Sequence, residues 1–154
     1  MANTKKKLVD LENARYDDQR EIMKQIQEEG YCPFCIEHYQ KNNEAILHEG
    51  EYWYFVKNKW PYENTKQHFL LITKKHIETF AELSAAARDE LFEMSAEAIE
   101  KYKIPGGALA LRFGDTDYSG GSVQHLHAQL VHSDVHKENY AEKPVRLKIG
   151  KVRK

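Results

Sequence analysis

The run Gly120-Gly121-Ser122-Val123-Gln124-His125-Leu126-His127-Ala128-Gln129-Leu130 carries the densest chemistry in the chain. On a strand, His125, His127 and Gln129 fall at alternate positions and share one face, while Leu126, Ala128 and Leu130 turn to the other. Two imidazoles and a carboxamide side by side combine a group that is neutral near pH 7 with a hydrogen-bond donor that cannot titrate. The Gly-Gly-Ser entry supplies backbone that can come close to an anion. A solvent-facing strand that happens to bear histidines is the plain alternative, and three such groups on one face argue against it.

The second lead is Cys32-Pro33-Phe34-Cys35, which holds both cysteines of the chain. In a reducing compartment a Cys-x-x-Cys pair serves as half of a metal site or as a redox couple more readily than as a structural staple. No βαβ pattern flanks it to support a thioredoxin-like role, and a pair of idle buried thiols stays open.

These residues need elements to position them. Apolar groups at Leu8, Leu11, Ile22, Met23 and Ile26 among charges predict an amphipathic helix over 5–29, stopped by Gly30. Ala45-Ile46-Leu47 and Tyr52-Trp53-Tyr54-Phe55-Val56 read as a β-hairpin, and Gln67 to Thr73 as a third strand. From Ser84, a helix N-cap, the spacing of Leu91, Phe92, Ser95, Ile99 and Tyr102 predicts a long helix ended by Pro105-Gly106-Gly107. Ala108 to Phe113 is extended, Gly114 to Gly121 a polar loop, and Val123 to Val131 a strand. The tail 143–154 alternates Val145, Leu147 and Ile149 with Arg146 and Lys148 and could add an edge strand. Strands interleave with helices without regular βαβ spacing, so the class is α+β.

A length of 154 residues allows one core. The chain is 41% hydrophobic and 31% charged, which suits a folded domain. Lys plus Arg total 23 against 24 Asp plus Glu, a net charge of -1. No global field would draw the protein to nucleic acid, so anion recognition must be local. No apolar run reaches the roughly 20 residues of a membrane span, and the charged start lacks a signal-peptide core. The expectation is a cytoplasmic protein without a membrane partner.

With these residues in view, the sequence resembles the histidine-triad superfamily. It is most similar to the branch that ends the motif in Gln, the H-x-H-x-Q pattern of galactose-1-phosphate uridylyltransferase and dinucleoside tetraphosphate phosphorylases. The resemblance runs over about residues 31–135. It includes Cys32-Pro33-Phe34-Cys35, Asn58-Lys59-Trp60-Pro61-Tyr62, His68-Phe69-Leu70-Leu71-Ile72, Lys74-Lys75-His76 and the Gly-Gly-Ser loop. It implies a histidine-triad-like fold, an antiparallel sheet with a long crossing helix, in a catalytic domain over 31–135. An N-terminal helical extension over 1–30 and a basic C-terminal tail over 136–154 flank that domain.

The resemblance makes His127 the nucleophile, with Gln129 bonding a non-bridging phosphate oxygen and Ser122, Gly120 and Gly121 cradling the phosphate. It puts Asn58 at the ribose, where a turn-forming Asn is the alternative, and Trp60 beside the base. It completes a structural zinc site from Cys32, Cys35, His76 and His125, closed to water by its four protein ligands. Arg112 stands where many relatives carry an Asn near the phosphates, so it either clamps a more anionic substrate or is solvated. Thr73 replaces a proline common before the His76 element. The implied function is a nucleotidyltransferase or phosphorylase acting on nucleoside polyphosphates or nucleotide sugars, working as a homodimer. A hydrolase of dinucleoside polyphosphates or phosphoramidates, a non-catalytic nucleotide-binding adaptor, and a zinc module binding nucleic acid through the tail are the rivals. An intact His127 speaks against the adaptor and the balanced charge against nucleic acid.

Overall fold

A computed structural model of the chain describes residues 7–41, 45–138, 140 and 143–151. Five antiparallel strands form one sheet: β1 (Ile46–Glu49), β2 (Trp53–Lys57), β3 (Thr65–Thr73), β4 (Ala108–Arg112) and β5 (His127–Ser133). Their order is β1-β2-β3-β5-β4, so β5 lies between β3 and the edge strand β4. The helices are α1 (Asp17–Glu29), α2 (Ile36–Tyr39), α3 (Ala85–Lys101) and α4 (Thr116–Ser119). The architecture is α+β, as the sequence predicts.

Strand alternation divides the interior in two. Trp53, Phe55, Phe69, Leu71, Leu126, Ala128 and Leu130 point to one face and pack under Leu91, Met94 and Ala98 of α3. Tyr54, Val56, Leu70 and Ile72 point to the other, under Met23 and Ile26 of α1, with Phe34 and Tyr39 beside them. Ser84 caps α3 by accepting the Ala87 N–H at 3.1 Å. Glu90, one turn on, accepts the backbone N–H groups of Glu51, Tyr52 and Trp53 at 2.7, 2.7 and 2.8 Å, tying the β1–β2 turn to the helix. A Cβ at Gly50 would lie 2.7 Å from the Glu90 carboxylate, which would have to shift and loosen this tie. Phe92 and Ile99, part of the helical pattern, turn outward instead of into the core.

Several boundaries differ from the sequence reading, and α4 falls in the stretch 114–121 expected as a loop. The N-terminal helix begins at Asp17, not near residue 5, because Asp10 and Asn13 are drawn into other bonds. Asp10 caps a 3-10 turn at Leu11–Asn13 and accepts the Thr116 hydroxyl at 2.9 Å, and Asn13 donates to the carbonyls of Thr116 and Gly121 at 3.1 and 2.9 Å. Residues 5 and 6 of that expectation lie outside the described residues. Strand β5 starts at His127 rather than Val123, whose backbone bridges Val9 instead. The tail forms no strand over 143–151, and its last three residues are outside the described set. It crosses the sheet end as an irregular strap whose Lys151 ammonium meets Asp117 at 2.9 Å and Glu12 at 3.1 Å. Among the described residues, no helix is long and apolar enough to cross a membrane.

Candidate active site

His127 stands opposite Ile72 of β3 and Arg112 of β4, and Gln129 opposite Leu70 and Ala110, so both side chains project under α1. They are buried, at 6% and 4% exposure. The His127 Nδ1–H donates to the carbonyl of His125 at 2.7 Å. A carbonyl can only accept, so the proton is held on Nδ1 and the lone pair on Nε2 is left for the pocket. Burial is the main reason the imidazole titrates low, at about 4; the bond to His125 opposes that shift and the Arg112 charge adds to it.

A second relay orients Gln129. The backbone N–H of Tyr62 donates to His68 Nδ1 at 3.1 Å, which places the ring proton on Nε2. That N–H donates to Gln129 Oε1 at 2.8 Å. With its oxygen so engaged, the Gln129 amide turns its NH₂ away from His68. The Asn58 amide nitrogen is 3.1 and 3.4 Å from the two ring nitrogens of His68, near-equal distances that place it over the ring face. Its oxygen accepts the Trp60 N–H at 2.9 Å, the turn-forming role that was the alternative for Asn58. Burial lowers the His68 pKa to about 4. His68 is a residue whose part the sequence hid: strand position alone suggests a backbone-satisfying histidine, and its partner Gln129 is far away in the chain.

Arg112 is buried, not solvated. It donates to the Ser119 carbonyl, to the Tyr62 hydroxyl at 3.0 Å and to the Lys148 carbonyl at 2.9 Å. Around it, α4 turns through Gly120 (φ 70), where a Cβ would lie 2.8 Å from the Lys148 carbonyl. The expected cradle of glycine N–H groups is not what the structure shows. Gly120 N–H donates to Thr116 at 3.0 Å and Gly121 N–H to the Ser119 hydroxyl at 3.2 Å, because they close the helix turn. Both glycines still line the cavity over His127, as do Ser122, Asn58 and Trp60. Arg15, which precedes α1, also reaches this cavity. Its guanidinium lies 4.4 Å from the centre of the Tyr62 ring and donates to the Trp60 carbonyl. No sequence signal beyond charge marks Arg15, since the contact depends on how the N-terminal segment folds over the sheet.

Cys32, Cys35, His76 and His125 come together from three parts of the chain, all ligand atoms within 4.8 Å of one another. Cys32 Sγ is 3.4 Å from His125 Nδ1, and Cys35 Sγ is 3.5 Å from His76 Nδ1 and 4.0 Å from His125 Nδ1. Sulfur and nitrogen ligands of one tetrahedral zinc ion lie about 3.6 Å apart. The group could therefore hold a metal ion with little movement. The far ring nitrogens are already supported: His125 Nε2 meets the Thr73 carbonyl at 2.7 Å and His76 Nε2 the Glu78 carboxylate at 3.3 Å. The Thr73 hydroxyl adds a second contact, 3.0 Å from His125 Nε2. Between the cysteines, Phe34 sets its ring edge-on to His127, centres 5.1 Å apart, and to His125, centres 6.1 Å apart.

The five-stranded antiparallel sheet thus carries His127 and Gln129 on one face of β5, with His125 just before the strand. Residues 39–135 match the HIT domain, and the chain belongs to that family. Its fold resembles that of a HIT family hydrolase from Clostridium thermocellum, with 23% identity, a TM-score of 0.52, and 71% of this chain and 93% of that one covered. It also resembles a histidine triad nucleotide-binding protein from Sulfolobus tokodaii, with 23% identity, a TM-score of 0.54 and coverage of 80% and 81%. A Zn-bound histidine triad family protein from Mycobacterium smegmatis gives 17% identity, a TM-score of 0.52 and coverage of 80% and 84%. No curated protein sequence gives a match.

Proposed function

We propose that the protein transfers a nucleotidyl group from a nucleoside polyphosphate or nucleotide sugar through a covalent intermediate on His127. The observation that carries this reading is the Nδ1–H bond to His125, which fixes the tautomer needed for attack by Nε2. The Nε2 lone pair forms an N–P bond to the α-phosphorus. The P–O bond to the leaving group breaks, and its electron pair stays on the departing oxygen. No proton moves in this step. In the second step an acceptor oxygen attacks phosphorus, the N–P bond breaks, and Nε2 recovers its pair.

Gln129, oriented by His68, stabilises the non-bridging oxygens through its NH₂. The Ser122 hydroxyl supports the same charge, and Asn58 and Trp60 border the nucleoside. An anionic acceptor such as phosphate attacks without first losing a proton, whereas water must lose one. Among the described residues, the cavity that Ser122 and Gln129 share with His127 is lined by no carboxylate and by no other imidazole, whereas a smaller cleft at His127 is bordered by Glu78 and His125. The lack of a second base on the Gln129 side favours transfer over hydrolysis. Cys32, Cys35, His76 and His125 would hold a structural zinc, which would fasten the Cys-Pro-Phe-Cys turn to the segment leading into β5 and leave the reaction to His127 and Gln129. A homodimer, implied by the resemblance, belongs to the same reading.

Incubation with a radiolabelled nucleoside polyphosphate followed by an alkaline quench tests the mechanism, since an imidazole phosphoramidate survives base and is lost in acid. The label is expected on His127. Recovery on another residue, or none under turnover conditions, overturns it. With the label in place, nucleoside diphosphate released only when phosphate is supplied identifies phosphorolysis, and release in water alone identifies hydrolysis.

A further inference from the structure

Four cationic side chains, Arg15, Lys57, Lys59 and Arg112, line the cavity over His127, and among the described residues no aspartate or glutamate does; Glu78 borders a separate, smaller cleft that His127 and Arg112 also line. The chain as a whole has a net charge of -1, so this concentration of one sign is local. Asp18, which accepts the Trp60 indole N–H at 3.1 Å, lies outside that lining.

Arg112 is the unusual member. It is only 8% exposed, and among the described residues no carboxylate pairs with it. Its acceptors are two backbone carbonyls and a phenol, all neutral. A guanidinium taken out of water is ordinarily compensated by an anion. Three of its five N–H donors are used, which leaves two for another acceptor. The register on β4 sets it beside His127.

Arg15 approaches from the N-terminal segment, outside the residues that match the HIT domain. The two guanidinium groups meet on a single side chain: Arg15 lies over the ring of Tyr62 and Arg112 donates to its hydroxyl. Tyr62 therefore spaces two cations along one wall, the inner one next to the nucleophile and the outer one at the mouth. A single phosphate at His127 engages only the inner position, whereas a chain of phosphates follows both.

We infer that Arg112 and Arg15, spaced by Tyr62, form an anion subsite for the phosphate chain of the donor's leaving group. This selects donors whose leaving group is itself a charged di- or polyphosphate over donors that release a neutral alcohol or amine. The inference rests on the nucleotidyl-transfer reading for the identity of the reacting phosphate. The chemistry agrees with the site: a polyphosphate departs without needing a proton, and Gln129 has none to give.

Equilibrium binding of inorganic tripolyphosphate, with orthophosphate and a nucleoside monophosphate as references, tests the subsite without turnover. Tripolyphosphate is expected to bind at least about tenfold more tightly than orthophosphate and to weaken as salt is raised. Arg15→Gln, at the mouth, should weaken tripolyphosphate several-fold and a nucleoside monophosphate by less, since its contacts with Trp60 and Tyr62 also border the nucleoside. Arg112→Lys keeps the charge but loses the fork, and should weaken tripolyphosphate by about tenfold. Tripolyphosphate binding no tighter than orthophosphate overturns the inference, and so does an Arg15→Gln protein that binds tripolyphosphate as the wild type does. A His127 adduct formed by a protein that ignores tripolyphosphate leaves the nucleotidyl reading standing and removes the subsite. Tight tripolyphosphate binding without any adduct does the reverse.

Discussion

Leu126, Ala128 and Leu130 alternate with His125, His127 and Gln129 along one short stretch of chain, yet the two sets hold their places by different means. The apolar set packs beneath α3 in a core built from nearest neighbours in the sheet. The polar set is as deeply buried, but each member is fixed by a directed bond: His125 to Thr73, His127 to the His125 carbonyl, Gln129 to His68. A non-directional core tolerates loss as a graded cost in stability. A directed network is read out in the tautomer and orientation of particular atoms, so its failures belong to function.

The largest effect expected from breaking this contrast is on turnover. His127→Ala should remove the covalent adduct and lower turnover by at least about 10⁴-fold, with the melting temperature little changed. Leu126→Ala on the opposite face should do the converse. A fully buried leucine truncated to alanine costs about 3 kcal/mol, or on the order of 10 °C in a chain of this size, while the adduct still forms. Parallel adduct and melting assays decide it. A His127→Ala protein that turns over near normally ends the proposed assignment of the two faces.

The proposed metal comes next. Chelation, or Cys32→Ser, should lower the melting temperature by more than Leu126→Ala does, since a structural ion contributes folding free energy. Elemental analysis of reduced protein should find about one zinc per chain. Protein that purifies without metal and melts unchanged in chelator would sink the structural zinc.

The division into faces was legible in the sequence because it depends only on alternation along residues 125–130, and so was the Cys-x-x-Cys turn. What the sequence hid depends on pairs far apart in the chain. His68 lies in the third strand, and nothing nearby in the sequence marks its bond to Gln129, which spans 61 positions. Asp10 and Asn13 sit in a plausible helical pattern, but their side chains bond across more than 100 positions to Thr116 and Gly121, and the helix begins later as a result. The strap was misread for a related reason. Alternation in a tail says that a strand is possible, and the unpaired edge it needs is here bordered by side-chain and carbonyl contacts instead.

His68 gives a pH test of the polar face. Its folded pKa, about 4, lies below the ordinary value of 6.5. The unfolded chain therefore binds a proton that the folded chain refuses between those values, and stability falls as pH drops from 6.5 toward 4. The contribution amounts to about 3 kcal/mol at most. His68→Phe removes this titration. Its stability should be lower at pH 7, where Gln129 and the Tyr62 N–H lose their partner, but its slope between pH 6.5 and 4 should be shallower than that of the wild type. Equal slopes in urea melts would show that His68 is not the buried neutral group described.

The smallest effect expected is at the strap, where charge and backbone can be separated. Arg146 and Lys148 would share a face if the tail were a strand, and their cations would then reach toward a substrate. In the structure the Lys148 ammonium meets Asn13 Oδ1 at 3.3 Å, and it is the Lys148 carbonyl that approaches Arg112. Neutralising the side chains should therefore do little: Arg146→Gln and Lys148→Gln are expected to leave the Michaelis constant within about twofold of wild type, in keeping with the small worth of exposed charges. Truncation after Lys143 acts differently because it removes the carbonyl. One of the three acceptors of Arg112 is lost, its guanidinium has a further donor for an anion, and the Michaelis constant for a polyphosphate donor should fall. If truncation and neutralisation change it equally, the strap acts through its charge. If truncation alone lowers it, the backbone of the strap competes with substrate for Arg112.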